Sequence, residues 1–228
     1  MASFDYDSDE FRTHLDNSAH VRGEVTFLQS ITEPGMTALD IGANRGVTTV
    51  ALAKAVGPGG RVFAFEPIPE HFRVLEESLR RNRVSNVEAF EEGIIDRCGY
   101  VDMYVNGGGT GIVPAEDRTC VQAATITVDD LIRNRGVQAL DVISSDCEGS
   151  ELLAFRGATQ TLQRFRPQIF CEIHHSALDA LGHSAADVAS FLEDMGFSVR
   201  PLKIEDPDVT PSIDECSHIY AAPNSTAS

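Results

Sequence analysis

The residues with the clearest chemical potential are acids and glycines that follow two apolar runs. The first run contains Asp40 and leads into Gly42 and Gly46, and the second run ends at Glu66 and Pro67. A carboxylate at a strand end can accept hydrogen bonds from both hydroxyls of a ribose. These positions therefore predict a nucleoside site, with a plain tight turn and an exposed acid as the alternatives.

The spacing of the glycines indicates which nucleoside ligand to expect. Gly42 lets the backbone turn sharply and approach a ligand, and Gly46 lets the following helix pack closely. The pattern is G-x-x-x-G, whereas dinucleotide sites use G-x-G-x-x-G and place a pyrophosphate on a helix N-terminus. Asp40 would repel a phosphate but can accept hydrogen bonds from an ammonium. S-adenosylmethionine is therefore favoured over a nicotinamide dinucleotide, and a nicotinamide oxidoreductase stays as an alternative.

A second group of polar residues follows two later apolar runs. It comprises Asp146 and Glu148 after one run, and Glu172, His174 and His175 at the end of the next. An alcohol that accepts a methyl group must lose its proton, and a positioned base contributes roughly 10²–10⁴-fold to that step. Histidine titrates near neutral pH, so His174 is a candidate base. The acids are equally consistent with capping a helix, and structural or solvated histidines are common.

Glu172 lies among apolar neighbours, so its carboxylate needs a cation, a metal ion or hydrogen-bond donors as a partner. Asp146 and Glu172, from adjacent strand ends, could together hold Mg²⁺, which would lower the pKa of a bound hydroxyl. Two carboxylates in this position are also consistent with binding of the cofactor or the acceptor. S-adenosylmethionine is therefore the expected cofactor, with Mg²⁺ as a second mechanism.

Short apolar runs alternate with amphipathic stretches, the pattern of βαβ units on a parallel sheet. Strands are predicted at 36–41, 61–66, 87–90, 139–144 and 168–173, with a closing pair at 197–202 and 218–222. Helices are predicted at 47–56, 69–82, 128–134, 151–165 and 185–195, the third capped by Thr127 and the last by Ser184. Segments 99–105 and 123–128 are predicted to form a strand pair bridged by a mobile loop. In such open sheets ligands bind beyond the carboxyl ends of the strands, where the acids stand.

Several segments, taken together, carry a resemblance to a known family. They are 39–46, 65–67, 127–131, 141–151, 155–157 and 166–174. The chain over residues 34–174 resembles the FkbM-type family of S-adenosylmethionine-dependent methyltransferases. The glycine motif is shared by many methyltransferases, whereas the D-x-E-G-x-E block that begins at Asp146, after a T-x-D-D-L segment, is narrower.

The resemblance implies a class I methyltransferase fold: a Rossmann-like α/β fold with an open, doubly wound, seven-stranded sheet whose last strand is antiparallel. It places the methionine end of the cofactor on Asp40, Gly42, Ala43, Asn44 and Gly46. It places the ribose on Glu66, beside Pro67, and the adenine near Glu92 and Gly93. One departure is Ser144, at a position where the family commonly has a lysine.

Composition limits the expected partners and location. The 228 residues carry a formal net charge of -17, which argues against nucleic acid or an anionic membrane as partner. No apolar run reaches the roughly 20 residues that span a bilayer. The acidic N-terminus is the reverse of a secretory signal, and the five widely spaced cysteines are typical of reduced thiols. A cytoplasmic protein is expected.

The predicted organisation is an N-terminal helical cap (1–33), a cofactor-binding methyltransferase domain (34–223) and a flexible tail (224–228). The predicted function is O-methylation of a hydroxyl on a small-molecule acceptor, a sugar or a natural product of secondary metabolism. N-methylation of a small metabolite and a catalytically inactive binding module of the same fold are the alternatives besides the oxidoreductase. The expected partner is the acceptor, and the expected oligomer is a homodimer.

Overall fold

The computed structural model describes residues 3–106, 109–114 and 119–224, and its strands form two sheets. The strands are β1 (Thr37–Ile41), β2 (Arg61–Phe65), β3 (Val87–Phe90), β4 (Gly93–Ile94), β5 (Gly99–Asn106), β6 (Gly109–Gly111), β7 (Thr119–Ile126), β8 (Val142–Ser145), β9 (Gln168–Glu172), β10 (Phe197–Leu202) and β11 (His218–Pro223). Residues 225–228 of the predicted tail lie outside the described residues.

The central sheet has seven strands in the order β10-β11-β9-β8-β1-β2-β3. Strand β11 runs antiparallel to both of its neighbours, β9 and β10. The pairs β1–β2, β1–β8, β2–β3 and β8–β9 are all parallel. The expected seven-stranded sheet with an antiparallel last strand is thus confirmed. Strand order reverses between β1 and β8, so the carboxyl ends of these strands open a crevice for a ligand.

The described helices are α1 (Asp9–Asn17), α2 (Ala19–Ile31), α3 (Val47–Val56), α4 (Pro69–Arg81), α5 (Val128–Arg135), α6 (Glu151–Arg156), α7 (Thr159–Phe165), α8 (His175–Ala180) and α9 (Ala185–Asp194). The predicted caps are confirmed, because Thr127 and Ser184 each accept a hydrogen bond from the backbone N–H three residues along. No helix in the described part of the chain has the length and apolar character needed to cross a bilayer.

The predicted single helix over 151–165 is wrong, because the chain forms α6 and α7 with a break at Gly157. The backbone of Gly157 approaches that of Ile95 so closely that a Cβ there would lie 2.3 Å from the Ile95 carbonyl oxygen. After the break, the Asp129 carboxylate accepts the backbone N–H groups of Gln160 at 3.0 Å and Thr161 at 2.8 Å. A side chain from α5 therefore starts α7.

Other elements also differ from the predictions, and strand β7 begins at Thr119 and not at 123. Strand β8 begins at Val142 and not at 139, and helix α8 (His175–Ala180) was not predicted. The predicted strand pair is confirmed as antiparallel β5 and β7, but it belongs to a four-stranded sheet in the order β4-β7-β5-β6. Part of the predicted loop forms β6, and its residues 107–108 lie outside the described ranges.

Alternate residues of the central strands enter two different hydrophobic cores. Leu39, Phe63 and Ile143 pack with α5 to α9, whereas their neighbours Val62 and Val142 pack with α2 and α3. This alternation follows from the period-two geometry of a strand and places helices on both faces of the sheet. Because the N-terminal helix α2 supplies Leu28 to the second core, it is fixed beside the crevice.

Candidate active site

Two adjoining cavities lie at the carboxyl ends of the central strands. The first is lined by Ile41, Gly42, Asn44, Phe65, Glu66, Pro67, Gly93, Ile94, Ile95, Val101, Met103, Thr110, Ile112, Thr125, Asp146, Cys147, Glu148 and Ser150. The second is lined by His14, Val21, Glu24, Gly42, Ala43, Asn44, Arg45, Val47, Thr48, Ser144, Ser145, Asp146, Phe170 and Glu172. Gly42, Asn44 and Asp146 border both cavities.

The turn after β1 depends on glycine at two positions. Gly42 has a φ of +83°, and a Cβ on it would lie 1.8 Å from the backbone oxygen of Asp146. Glycine therefore allows the ends of β1 and β8 to meet at the floor shared by the two cavities. Gly46 has a φ of +88°, and a Cβ on it would lie 2.7 Å from Leu75 Cδ1 of α4. Gly46 thus serves helix packing and borders neither cavity.

Glu66 is buried at the end of β2, in the wall of the first cavity. Its Oε2 accepts the backbone N–H of Asn44, and its Oε1 accepts that of Ile68, each at 2.9 Å. These bonds fix the carboxylate, and each oxygen keeps a second lone pair for a further donor. Pro67 and Gly93 line the same cavity, whereas Glu92, predicted near the adenine, does not. The predicted ribose and adenine residues thus converge here, except for Glu92.

Asp40 is buried and turned toward α3. Its Oδ2 accepts hydrogen bonds from the hydroxyls of Thr48 at 3.0 Å and Thr49 at 2.5 Å, and Ser144 hydrogen-bonds to the same carboxylate. Burial raises its pKa to about 6, although these three hydrogen bonds lower it in part. Asp40 borders neither cavity. The structure therefore gives its carboxylate hydroxyl partners inside the fold, and direct contact with a ligand stays a prediction.

His174 lies at the centre of a group of acids. Its Nδ1 is 2.8 Å from Glu151 Oε1, and its Nε2 is 3.5 Å from Asp146 Oδ1, 3.7 Å from Glu148 Oε2 and 3.8 Å from Glu172 Oε1. Burial opposes its charge, but the hydrogen bond to Glu151 and the nearby carboxylates outweigh burial and raise the pKa of His174 to about 9. At neutral pH the ring is therefore an imidazolium, which cannot accept a proton. This geometry disfavours His174 as the general base.

Asp146 is better placed for that role, because it borders both cavities. Its side chain is 41% exposed, yet Oδ1 has no solvent contact and accepts no hydrogen bond from the described residues. Burial, together with the charges of Glu172 and Glu148, raises the pKa of Asp146 well above its usual range, against the opposing charge of His174. A carboxylate with a raised pKa is a stronger base than an ordinary aspartate.

Glu172 has the cationic partner that its apolar surroundings require. His20 Nε2, from α2, lies 3.5 Å from Glu172 Oε1. Burial would raise the pKa of Glu172, but the contacts with His20 and His174 outweigh it and lower that pKa. The Glu172 contact is also the largest cause that raises the pKa of His20 to about 10, with Glu205 and Glu24 adding to it and burial opposing.

Potential metal ligands form two sets among the residues that the structure describes. One set is Asp146, Glu148 and His174, and the other is His20, Glu24, Glu172 and His218. Asp146 and Glu172 fall into different sets, so the arrangement gives no support to the predicted Mg²⁺ pair. Both sets contain imidazole nitrogen, whereas Mg²⁺ prefers oxygen ligands.

Three functional candidates were missed by sequence reasoning, namely His20, Glu24 and His71, whereas Glu151 belongs to the D-x-E-G-x-E block. Glu151 is fully buried, and its Oε1 accepts hydrogen bonds from His174 Nδ1 and from the backbone N–H of Gly149. His71 Nδ1 is 3.7 Å from Glu66 Oε1. The spacing of His20 and Glu24 at i and i+4 was a visible signal on a helix, but their partners are remote in sequence. His175 instead contacts the Cys216 carbonyl at 2.8 Å.

The family model described as the methyltransferase FkbM domain matches residues 40–199. Hexuronic acid methyltransferase AglP from Haloferax volcanii is 28% identical over 169 residues, covering 72% of this chain and 64% of AglP. The 31-O-demethyl-FK506 methyltransferase FkbM from Streptomyces tacrolimicus is 25% identical over 209 residues, covering 73% of this chain and 74% of that protein. The chain thus spans slightly under two thirds of the length of AglP.

Solved structures show the same fold. A methyltransferase FkbM from Methylobacillus flagellatus superposes with a TM-score of 0.55 at 18% identity, covering 87% of this chain and 50% of that one. An O-methyltransferase from Bacillus cereus gives a TM-score of 0.57 at 16% identity, covering 94% of this chain and 88% of that one. The fold is therefore that of class I methyltransferases, as expected.

Proposed function

The chain belongs to the FkbM methyltransferase family, and we propose that it transfers a methyl group from S-adenosylmethionine to a hydroxyl of a small-molecule acceptor. The observation that carries this proposal is the pair of adjoining cavities that meet at Gly42, Asn44 and Asp146. One cavity suits the nucleoside of the cofactor, and the other suits the acceptor. The methyl group would pass where the two cavities meet.

The first cavity suits an adenosine because it combines an apolar lining with one fixed carboxylate. Phe65, Ile94 and Met103 supply apolar surface for a purine, and the second sheet covers it. Glu66 would hold the ribose, since both of its oxygens are fixed by backbone N–H donors and can each accept one hydroxyl. These residues fit the nucleoside of S-adenosylmethionine, which supplies a methyl group on a positively charged sulfur.

The second cavity suits a hydroxylated acceptor because its wall is rich in polar groups. Glu24, Asp146 and Glu172 offer carboxylates, and His14 comes from the N-terminal helices. Carboxylates are strong acceptors for the hydroxyls of a sugar. The name of FkbM gives its acceptor as a 31-O-demethyl natural product, which favours a hydroxyl acceptor, and the name of AglP gives a hexuronic acid, which carries hydroxyls and a carboxylate.

The residues of this chain would contribute positioning and proton transfer. Asp146 would accept the hydroxyl proton on its carboxylate as the oxygen–methyl bond forms and the sulfur–methyl bond breaks, with S-adenosylhomocysteine as the leaving group. His174, held by Glu151, would balance the surrounding negative charge without taking the proton itself. Holding the acceptor oxygen about 3 Å from the methyl carbon would supply most of the rate enhancement. Asp146 would add roughly 10²–10⁴-fold.

The proposal is tested by following S-adenosylhomocysteine formation with hexuronic acids and with natural-product alcohols as acceptors. We expect turnover with a hydroxyl acceptor and a product in which mass spectrometry places the new methyl on oxygen. Methylation of amine acceptors alone would favour the N-methyltransferase alternative. Failure to bind S-adenosylhomocysteine at all would contradict the proposal and favour the alternative of a catalytically inactive binding module with the same fold.

A further inference from the structure

We propose a zinc-type metal site between α2 and the strands β9 and β11, with His20, Glu24, Glu172 and His218 as its ligands. Each of these side chains offers one ligand atom, and the four atoms lie within 4.8 Å of one another. The site is separate from the nucleoside site, because none of its ligands lines the first cavity. Its role would be to fasten the N-terminal helices to the sheet.

The backbone presents the four side chains as two matched pairs. His20 and Glu24 are four residues apart on α2, so they share one face of that helix. His218 and Glu172 are direct partners in the antiparallel ladder of β11 and β9, so their side chains leave the sheet on the same face. Two rigid elements therefore aim one histidine and one glutamate each at the same point.

Three of the six separations between the ligand atoms are close to those of a tetrahedral ligand shell. His218 Nε2 is 3.4 Å from Glu24 Oε1, and His20 Nε2 is 3.5 Å from Glu172 Oε1 and 3.7 Å from Glu24 Oε1. Ligands held about 2.0–2.1 Å from a tetrahedral zinc ion lie about 3.4 Å from one another. An ordinary N–H···O bond would bring the same atoms to about 2.9 Å. These three separations are longer than an ordinary hydrogen bond and close to the spacing of ligands around an ion, and the other three lie within 4.8 Å.

Both histidines are oriented as metal ligands usually are. His20 Nδ1 lies 2.7 Å from Glu205 Oε1, and His218 Nδ1 lies 3.0 Å from Ser217 Oγ. Each ring therefore has one nitrogen held by an outside partner and turns Nε2 toward the common point. Such outer partners orient the imidazole of metal sites. The His218 ring is also stacked on Phe170, with 4.7 Å between the ring centroids.

The donor set selects the kind of ion. Two imidazole nitrogens and two carboxylate oxygens suit zinc and similar transition metals, whereas Mg²⁺ and Ca²⁺ prefer oxygen alone. Glu24 and Glu172 also line the second cavity, so the ion would lie at its wall. A bound ion would thereby hold α2 in place beside that cavity.

The test is a calorimetric titration of the chelator-treated full chain with Zn²⁺, repeated with Co²⁺, whose visible absorption reports tetrahedral coordination. We expect one ion per chain and a rise in the thermal midpoint. His20→Ala and Glu24→Gln, on an amphipathic helix that tolerates both residues, should each weaken Zn²⁺ binding by at least ~100-fold. His183→Ala, outside the site, should leave binding unchanged.

A second control separates the two ligand sets. His174→Asn removes the histidine of the Asp146 set, and it should leave Zn²⁺ binding little changed. Loss of binding in His174→Asn with retention in His20→Ala would overturn the proposal, as would the absence of binding to the unsubstituted chain. Titration of the same variants with S-adenosylhomocysteine checks the nucleoside site separately, so failure of the metal site and failure of the proposed function are distinguishable.

Discussion

Replacement of Glu66 by alanine tests the ribose assignment most directly. The Glu66 side chain is buried, and its two oxygens accept the N–H groups of Asn44 and Ile68 at 2.9 Å. In the substituted protein a ribose loses one charged acceptor for its hydroxyls. Hydrogen bonds to charged groups contribute about 1.5–3 kcal/mol, so we expect the dissociation constant of S-adenosylhomocysteine to rise about 10–150-fold.

The same substitution carries a cost in stability that must be measured beside the affinity. Two backbone N–H groups lose their acceptor, and an unsatisfied buried donor costs about 1–3 kcal/mol unless water replaces the partner. Thermal unfolding of the free protein gives this cost. Calorimetric titration then gives the affinity of the folded fraction, so the two effects are not confused.

Glu92→Ala is the matched control, because it removes the same side chain type after the neighbouring strand β3 from a position outside the cavity lining. We expect the affinity of Glu92→Ala for S-adenosylhomocysteine to change by less than about twofold, whereas that of Glu66→Ala should fall by about 10-fold or more. A ligand that lacks one ribose hydroxyl completes a double-mutant cycle, and its affinity should fall less in Glu66→Ala than in the unsubstituted protein. If Glu66→Ala folds and binds S-adenosylhomocysteine normally, the ribose lies elsewhere.

Three further predictions follow from the site. Gly42→Ala should lower the unfolding free energy by about 2 kcal/mol or more, because its Cβ would lie 1.8 Å from the Asp146 carbonyl oxygen, whereas Gly57→Ala, with positive φ but open space, should cost less in the same denaturant titration. Asp146→Asn should lower turnover by about 10²-fold or more with little change in cofactor affinity, and an effect below threefold in steady-state kinetics would contradict its role as base. The raised pKa of Asp40, about 6, favours folding while the group is protonated: this contribution is full below about pH 4 and lost as the pH rises to about 6. The unfolding free energy relative to Asp40→Asn should therefore fall by up to ~3 kcal/mol across that window, and a flat difference would contradict the burial argument.

The parts of the fold that could be predicted are those encoded by local patterns. The strand preceding Gly42 and the strand ending before Glu66 follow from apolar runs bounded by turn residues. The starts of α5 and α9 follow from Thr127 and Ser184, whose hydroxyls can only cap when the next residues are helical. The lining of the first cavity could be predicted for the same reason, because Gly42 and Glu66 lie at the ends of consecutive strands.

The parts that could not be predicted depend on contacts between distant segments. The break between α6 and α7 requires Ile95 and Asp129, which approach Gly157 only in the folded chain. The partners of His20 lie about 150 residues away at Glu172 and beyond, so a helix pattern in the N-terminal region could not reveal them. The protonation of His174 depends on its contact with Glu151. The sequence predicts that Glu151 begins a helix, but it does not show that the Glu151 side chain contacts His174 at the end of a later strand.

The departure at Ser144 acquires a physical meaning from the sheet register. Ser144 is the direct partner of Asp40 in the parallel pair of β8 and β1, and it hydrogen-bonds to that carboxylate. A lysine at this position, as is common in the family, would bring a cation near the same acid and stabilise its charge. With serine, a hydroxyl and not a cation stands beside the buried carboxylate, so burial prevails and its pKa rises. Because Ser144 also lines the second cavity, the exchange puts a hydroxyl instead of a cation at the β8 edge of that wall, while Arg45 still lines the cavity as a cation.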